Sequence, residues 1–430
     1  MNVRELIEFV NSGNVVGTFP RGFSQNTVFK YPLVRADSLV TLNYGKGLVE
    51  KNRISGDIPV YGTNGRCGWH NEGLVKGPGV ILGRKGMGPL GVEWCESDFW
   101  VIDTAYYVTP NTPSLDLKFF YYLTKYIGLN HLKDGTSNPS LSRDTFSAQL
   151  LPFPPINKQK AIAQILSSLD DKIELNQQMN QTLEAITRAL FKSWFVDFDP
   201  VRAKMDDQQL IGIDAETAAL FPAEFESSVL GEIPKGWRVG VVEDEFQITM
   251  GQSPSSSTYN QDKKGLPFYQ GRKDFGSRYP SVRVYCNAPT RFANAGDTLI
   301  SVRAPVGDIN LASEQCCIGR GVAAARHKDG SRSYTYYTMQ GLNEHFARFE
   351  AKGTIFGSMS KKDFLSIPCI VPSVATIRRF EQLAFPLDQC VENQAQQILT
   401  LLSIRDTLLP ALLAGKTLVK DIQSFVESQL

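Results

Sequence analysis

A chain of 430 residues is too long for a single hydrophobic core and suits two or three domains. With 42% hydrophobic and 21% charged residues it has an ordinary globular composition, and no apolar run reaches the roughly 18 residues that a membrane helix needs. A formal net charge of +1 argues against binding nucleic acid by bulk attraction, but the total hides a gradient: Met205 to Gly236 hold seven acidic residues and one lysine, net −6, whereas Trp237 to Pro368 hold 17 Lys and Arg against 12 Asp and Glu, net +5.

The opening MNVRELIEFV places acidic residues where a signal peptide needs a basic region followed by an apolar one. Its spacing (Val3, Leu6, Ile7, Val10) suits a short amphipathic helix, ahead of a loop rich in Gly, Pro and Asn that runs to about residue 36. From Ser38 to Val108, short runs such as IPVYG, GVILGRK and FWVIDTAYYV, punctuated by Gly and Asn, read as strands. Leu115 to Leu132 reads as a helix. Gly135 to Pro155 is a loop and a strand, closed by the Pro-Phe-Pro-Pro of 152–155, which cannot enter a helix interior and so marks the start of a long helix from Asn157 to Phe195. An acidic linker with a short helix near Ala215 to Leu220 follows. The string LGEIPKGW at 230–237 then opens a second β-rich region, Val239 to Ala325. Tyr334 to Phe349 reads as that region's helix, and a second long helix follows with Pro386 inside it, predicting a kink near Phe385.

The two long helices are copies. The first carries a 4-3-4-3 seam at Ile162, Leu166, Leu169, Ile173, Asn176, Asn180, Leu183, Thr187, Leu190 and Trp194. Adding 218 to each number gives the second: Phe380, Ala384, Leu387, Val391, Gln394, Ile398, Leu401, Arg405, Leu408 and Leu412. The same offset carries Ser140 onto Ser358, Ser142 onto Ser360, Phe146 onto Phe364 and Asp170 onto Asp388. The chain is therefore read as a tandem duplication of the α+β class. Residues 1–155 and 237–370 are two globular domains, 156–198 and 371–430 hold the long helices, and 199–236 are the acidic linker. Polar seam residues fix register, so Asn176 is expected to face the Gln394 region. Apolar residues off the seam (Phe191, Phe195, Val196, Phe385, Leu399, Leu402) suggest outside partners.

Gly56-Asp-Ile-Pro-Val-Tyr61 echoes Gly265-Leu-Pro-Phe-Tyr269, and Gly79 to Arg84 echoes Gly296 to Arg303, so the two domains share one plan with different loops. Catalytic signals are weak. Gly86 to Gly91 matches GxGxxG, but VEWCESDFWV follows it and alternates like a strand, so these are turn glycines. No phosphate-binding GxxxxGK[ST] and no adenine-methyltransferase motif occurs. The four histidines (70, 131, 327, 345) are scattered and read as surface or packing residues, with no metal site. Seven cysteines without a CxxC pair read as reduced thiols of a cytosolic protein.

The positive signal is a basic and aromatic cluster. Arg272, Lys273, Arg278, Arg283, Arg291 and Arg303 are interleaved with Tyr269, Phe275, Tyr279, Tyr285 and Phe292. Such side chains pair with phosphates and guanine edges and pack on sugars and methyl groups. The first domain has a thinner set: Lys46, Lys51, Arg53, Tyr61, Asn64, Arg66, Arg84 and Lys85. Any one of these suits a solvated surface equally well. The two tyrosines, at matching strand ends, suit a structural role too.

The layout, together with PVYGTNG at 59–65, GPGVILGRKG at 77–86, LPFPPINKQKAIAQILSSLDDKIELN at 151–176, LGEIPKGW at 230–237 and LLPALLAGK at 408–416, resembles the specificity (S) subunit of type I restriction-modification systems. The resemblance spans nearly the whole chain from about Leu39; the first 36 residues lack an opening like that at 230–237. It implies two target recognition domains, each reading half of an asymmetric bipartite double-stranded DNA sequence. It implies two helices paired as an antiparallel coiled coil with pseudo-two-fold symmetry, which sets the spacing. It implies two modification subunits, which bind S-adenosylmethionine and methylate adenine, and restriction subunits using ATP and Mg2+. The chain itself would hold no cofactor and do no chemistry, in the cytoplasm. The rival readings are a stand-alone DNA-modifying enzyme and a coiled-coil scaffold that does not bind DNA.

Overall fold

The computed structural model describes residues 30–208, 212–351 and 357–415. The amphipathic stretch near Val3 lies outside them. The chain divides into two compact units, one from Met1–Asn176 and Gln397–Leu430, the other from Gln177–Gln396. Each unit takes part of each long helix.

In the first unit a four-stranded antiparallel sheet has the order Val40–Tyr44, Ala105–Pro110, Gly79–Gly83, Val92–Cys95. Gly79–Gly83 is buried along its whole length, as its unbroken apolar run requires. A second sheet pairs Ile58–Gly62 antiparallel with Gly65–His70 and parallel with Trp100–Val101. The helix Leu117–Ile127 begins where the Asp116 side chain accepts the Phe119 N–H, and it buries Phe119, Phe120 and Leu123. Leu33–Arg35 pairs with Leu150–Pro152. That strand opens the unit without the LGEIPKGW string and corrects the reading of residues up to 36 as loop.

The second unit repeats the plan. Its four-stranded sheet runs Phe246–Met250, Val322–His327, Thr298–Ser301, Ile309–Leu311, and Leu266–Tyr269 lies parallel to Cys316–Ile318 as Ile58–Gly62 does to Trp100–Val101. Arg238–Val241 pairs with Pro368–Val371, the counterpart of the opening strand. The expected helix from Tyr334 to Phe349 is two, Arg332–Gly341 and Asn343–Ala351, broken at Leu342. Residues 199–236, expected to be a linker, are folded into this unit. They form the helices Asp199–Met205 and Ala215–Ala219 and a hairpin of Phe225–Ser228 with Gly231–Pro234. Phe198, Val201 and Phe221 are buried in its core beside Trp194 and Trp237.

The long helices are Ile156–Phe195 and Val374–Leu413, 40 residues each. The second runs through Pro386 and Pro410 without ending, so Pro386 does not interrupt it. In the first unit Ile162, Leu166, Leu169 and Ile173 share a core with Leu401, Leu409 and Leu412. Asn176 donates to Gln397 at 2.8 Å, and Asp170 meets Arg405 at 2.8 Å. Lower numbers on one helix meet higher numbers on the other, so the pairing is antiparallel. In the second unit Phe191, Trp194 and Phe195 pack on Phe380, at ring-centroid distances of 5.7, 6.1 and 5.3 Å, and again the helices run antiparallel. Leu183, Leu190, Leu387, Ile398 and Leu408 are half-buried; Val391 and Leu401 are fully buried.

Two expectations change here. The partner of Asn176 is Gln397, one turn beyond Gln394, and the side-chain oxygen of Gln394 finds no partner among the described residues. Phe191 and Phe195 face inward, into the aromatic core of the second unit, where the packed rings of Phe380, Tyr334 and Trp237 claim their surface.

Candidate nucleic-acid interface

The first unit presents a row of cations over aromatic rings. Tyr44 ends its strand 48% exposed, and the guanidinium carbons of Arg84 and Arg143 lie 4.7 and 4.6 Å from its ring centroid. A guanidinium over a ring face gains from the ring quadrupole and keeps its N–H edge free. Arg84 donates Nη1 to the Asp103 carbonyl at 2.8 Å, and Lys85 pairs with the Asp103 carboxylate at 3.0 Å. Behind Tyr44 lies the buried Tyr106, its centroid 5.2 Å away; burial pushes its phenol up to about 12. Arg66 lies 4.7 Å over the exposed Trp69, and Lys46 lies 6.0 Å from Trp100. Asn64 is exposed.

Tyr61 is not on this surface. It is buried against Phe99, and burial first, then a hydrogen bond to Cys95, raises its phenol. The Gly65–His70 strand and the Gly86–Gly91 turn therefore offer the exposed chemistry here, and that turn runs into the strand Val92–Cys95, as its alternation predicts.

In the second unit Arg272, Lys273, Arg283 and Arg303 are exposed. Arg272 pairs with Asp308, and Arg283 bonds the buried Asp274 through Nε at 2.9 Å. The Asp274 side chain also accepts the Gln270 N–H at 2.7 Å, so Arg283 braces its own loop as well as facing solvent. Tyr269 is buried in a small core with Ile318 and Leu299, and burial raises its phenol. Both tyrosines are therefore structural, for the same reason: each lies in a strand that pairs parallel with another, Tyr61 opposite Val101 and Tyr269 opposite Ile318.

Arg278 departs furthest from a surface role. It is 2% exposed; Nη2 meets Asp388 at 2.6 Å, Nη1 meets Glu184 at 3.2 Å, and its guanidinium lies 4.5 Å from the Tyr336 ring. Tyr337 donates its hydroxyl to Asp388 at 3.2 Å. Burial alone would lower this guanidinium, but Asp388 outweighs it and holds the group above its ordinary range. One side chain of the globular part is thus bonded to carboxylates on both helices. The 218 offset explains why. Asp170 and Asp388 are equivalent, as are Arg405 and Thr187. In the first unit Arg405 neutralises Asp170; in the second, threonine cannot, and Arg278 takes that role.

His327 is buried with Nδ1 at 2.5 Å from Asp329 and Nε2 at 3.2 Å from Glu245, a grouping that sequence spacing hid because Glu245 is 82 residues away. Among the described residues no group of three or more His, Cys, Asp or Glu is placed to hold a metal ion, and no helix is long and apolar enough to cross a membrane.

Residues 32–185 match the family described as type I restriction modification DNA specificity domain. A putative type I restriction enzyme specificity subunit, MjaX, of Methanocaldococcus jannaschii is 28% identical over 320 residues, covering 72% of this chain and 70% of that protein. The HindI specificity subunit of Haemophilus influenzae is 28% identical over 375 residues, covering 74% and 82%. The crystal structure of a type I restriction-modification S subunit from M. genitalium shares the fold, with a TM-score of 0.63 at 18% identity over 91% of this chain and 98% of that one. The chain is similar in sequence and in fold to type I restriction-modification specificity subunits. The shared fold is the one described above, two α+β units that each take part of two long helices.

For a specificity subunit the informative residues are exposed cations on loops carried by a rigid scaffold. Of the residues expected from sequence, Lys46, Asn64, Arg66, Arg84, Lys85, Arg272, Lys273, Arg283 and Arg303 are exposed or half-buried, and Tyr61, Tyr269 and Arg278 are core. The sequence reading missed Tyr44, Trp69 and Arg143. Arg143 sits 99 residues from Tyr44, so no local signal joins them.

Proposed function

We propose that each globular unit reads one half of an asymmetric bipartite double-stranded DNA target. We further propose that the paired helices set the number of unread base pairs between the halves and carry two modification subunits that methylate adenine. The observation that carries this reading is the repeated scaffold with unlike surfaces. Two sheets share strand order and register, yet one carries the Tyr44, Arg84 and Arg143 cluster and the other the Arg272, Lys273 and Arg283 loop. A reader duplicated and then diverged in its loops suits a target with two different halves.

The helices supply rigid length. At 1.5 Å per residue a heptad adds about 10.5 Å, close to three base pairs at about 3.4 Å each. Inserting a heptad after Asn176, with the matching insertion in the second helix, should therefore lengthen the preferred gap by about three base pairs. This would be read by mapping methylated adenines in DNA treated with the reconstituted complex; an unchanged gap refutes the ruler. Docking of modification subunits is supported by exposed apolar residues on the helices, Met179 and Ile186 at 43% and 52% in the second unit and Leu399 at 60% in the first.

In this reading the chain performs no chemistry and acts in the cytoplasm. S-adenosylmethionine belongs to the modification subunits, and ATP and Mg2+ to restriction subunits where these are present. Purified chain given DNA, Mg2+ and S-adenosylmethionine should show no turnover until a modification subunit is added; turnover by the chain alone would favour the stand-alone enzyme. A scaffold that does not bind DNA predicts no salt-dependent DNA affinity even beside its partners.

A further inference from the structure

Backbone hydrogen bonds allow the two sheets to be compared residue by residue. Lys85 bridges to Ser140 and Arg303 to Ser358, positions one repeat apart. The Leu141 N–H donates to the Arg84 carbonyl, and the Met359 N–H to that of Val302. Gly86 donates to Pro139, and Ala304 to Gly357. Lys85 therefore corresponds to Arg303 and Arg84 to Val302, one residue away from the alignment that the sequence suggests. Tyr44 pairs with Tyr106 and Tyr106 with Leu82; Met250 pairs with Ala323 and Ala323 with Ile300. Tyr44 corresponds to Met250. Ser142 and Ser360 cap equivalent short helices, whose first residues are Arg143 and Lys361.

Two kinds of position emerge. Lys85 with Arg303, and Arg143 with Lys361, are basic in both units. Tyr44 with Met250, and Arg84 with Val302, differ, and Val302 is buried. So at these equivalent positions, among the described residues, the first unit alone has an exposed aromatic flanked by two arginines. Neither Arg84 nor Arg143 has a carboxylate partner among the described residues, although the two guanidinium groups share one ring. Two like charges held together without a counter-ion suit a polyanionic ligand. Contact with the Tyr44 ring and the bond to Asp103 restrain Arg84 and leave further N–H groups, the donors an arginine needs to meet the O6 and N7 of guanine.

Resting on the reading of the chain as a DNA specificity subunit, we propose that Tyr44 and Arg84 form a guanine-reading subsite present in the first unit alone. We propose also that the basic positions common to both units, Lys85 with Arg303 and Arg143 with Lys361, hold phosphates. Shared positions carry affinity and unshared ones carry sequence.

The test uses the full chain assembled with its modification subunit and a DNA library randomised across the target. Tyr44→Met and Arg84→Val install what the second unit already carries at equivalent positions. Each should lower discrimination at a G·C pair of one half-site by roughly 5- to 150-fold and leave the other half-site unchanged. Arg84→Lys keeps the charge but not the two-pronged donor and should relax the same base pair. Arg143→Ala and Lys361→Ala should weaken binding alike on all sequences, each lowering the slope of log affinity against log salt by about 0.9. Thermal melting of each variant separates loss of fold from loss of reading. Unchanged base preference in folded Tyr44→Met and Arg84→Val, or full rescue of discrimination by Arg84→Lys, overturns the subsite. A base-specific effect of Arg143→Ala or Lys361→Ala overturns the division of roles. A wild-type complex with no sequence preference would instead sink the specificity reading itself.

Discussion

Replacing Arg278 by leucine should loosen the second unit without removing a DNA contact. The guanidinium is bonded to Asp388 and Glu184 and is 2% exposed, and Asp388 is itself buried. Removing one partner of a buried pair leaves an uncompensated charge and costs about 3–5 kcal/mol. Two features favour the lower end: the Tyr337 hydroxyl still serves Asp388, and the Glu184 side chain is 24% exposed and can turn to water. About 3 kcal/mol is therefore expected for Arg278→Leu. The double variant Arg278→Leu with Asp388→Leu removes both charges and should recover most of that loss, giving a coupling of about 2–3 kcal/mol. Hydrogen exchange read by mass spectrometry suits the question, because it resolves the helix Arg332–Gly341 and the segment 374–396 from the first unit. Protection should fall there and stay unchanged in Leu117–Ile127. If Arg278→Leu leaves protection intact while weakening DNA binding, Arg278 is a surface contact and the burial argument fails. If the double variant is no better than the single, the ion pair is not what the loss reports.

Other outcomes follow from the same contacts. Asn176→Ala strands the half-buried Gln397 oxygen and should cost about 1 kcal/mol in denaturant unfolding; a neutral result would remove Asn176 as a pin between the helices. Gly45 and Gly251 are equivalent, and a Cβ on either would lie 2.2 Å from a carbonyl oxygen, that of Ile102 or of Gly319. Gly45→Ala should destabilise the first unit and Gly251→Ala the second, each by at least about 1–3 kcal/mol, and thermal melting that shows neither shift would contradict the close approach. Burial pushes the Asp329 carboxyl up, but bonds from the Ser331 hydroxyl and N–H and from His327 outweigh it and hold it below its usual range. Its contribution is present above the unfolded value of about 3.9 and is lost as pH falls through the lower folded value. Asp329→Asn should flatten the acid limb of a stability-against-pH curve, and an unaltered limb would show that another carboxyl dominates.

Much of this architecture was legible along the chain because it is written in local periods. A 4-3-4-3 seam, repeated at an offset of 218, needs no knowledge of partners to announce two long helices, and their observed bounds, Ile156–Phe195 and Val374–Leu413, follow from prolines and from the start of the seams. Alternating apolar runs announced the strands, and the strand after Gly91 excluded a dinucleotide site. The antiparallel sense of the helix pairing was not in the period itself; it was expected from the resemblance alone, and the contacts of Asn176 with Gln397 and of Asp170 with Arg405 show it.

Tertiary structure decided which charges are free. Arg278 and Arg303 look alike in sequence, but Arg278 is claimed by carboxylates 94 and 110 positions distant, and nothing within its own strand or loop announces that. Tyr61 and Tyr269 look like reading residues until the parallel strands at Trp100–Val101 and Cys316–Ile318 cover them. The acidic stretch after Phe198 reads as a spacer by composition, yet two of its residues, Val201 and Phe221, pack in the same core as Trp194, Trp237 and Phe380. Composition and period set which faces are apolar; the desolvation of a charge or a phenol depends on what arrives from far along the chain, so only the folded molecule separates the side chains left exposed from those that hold the fold in place.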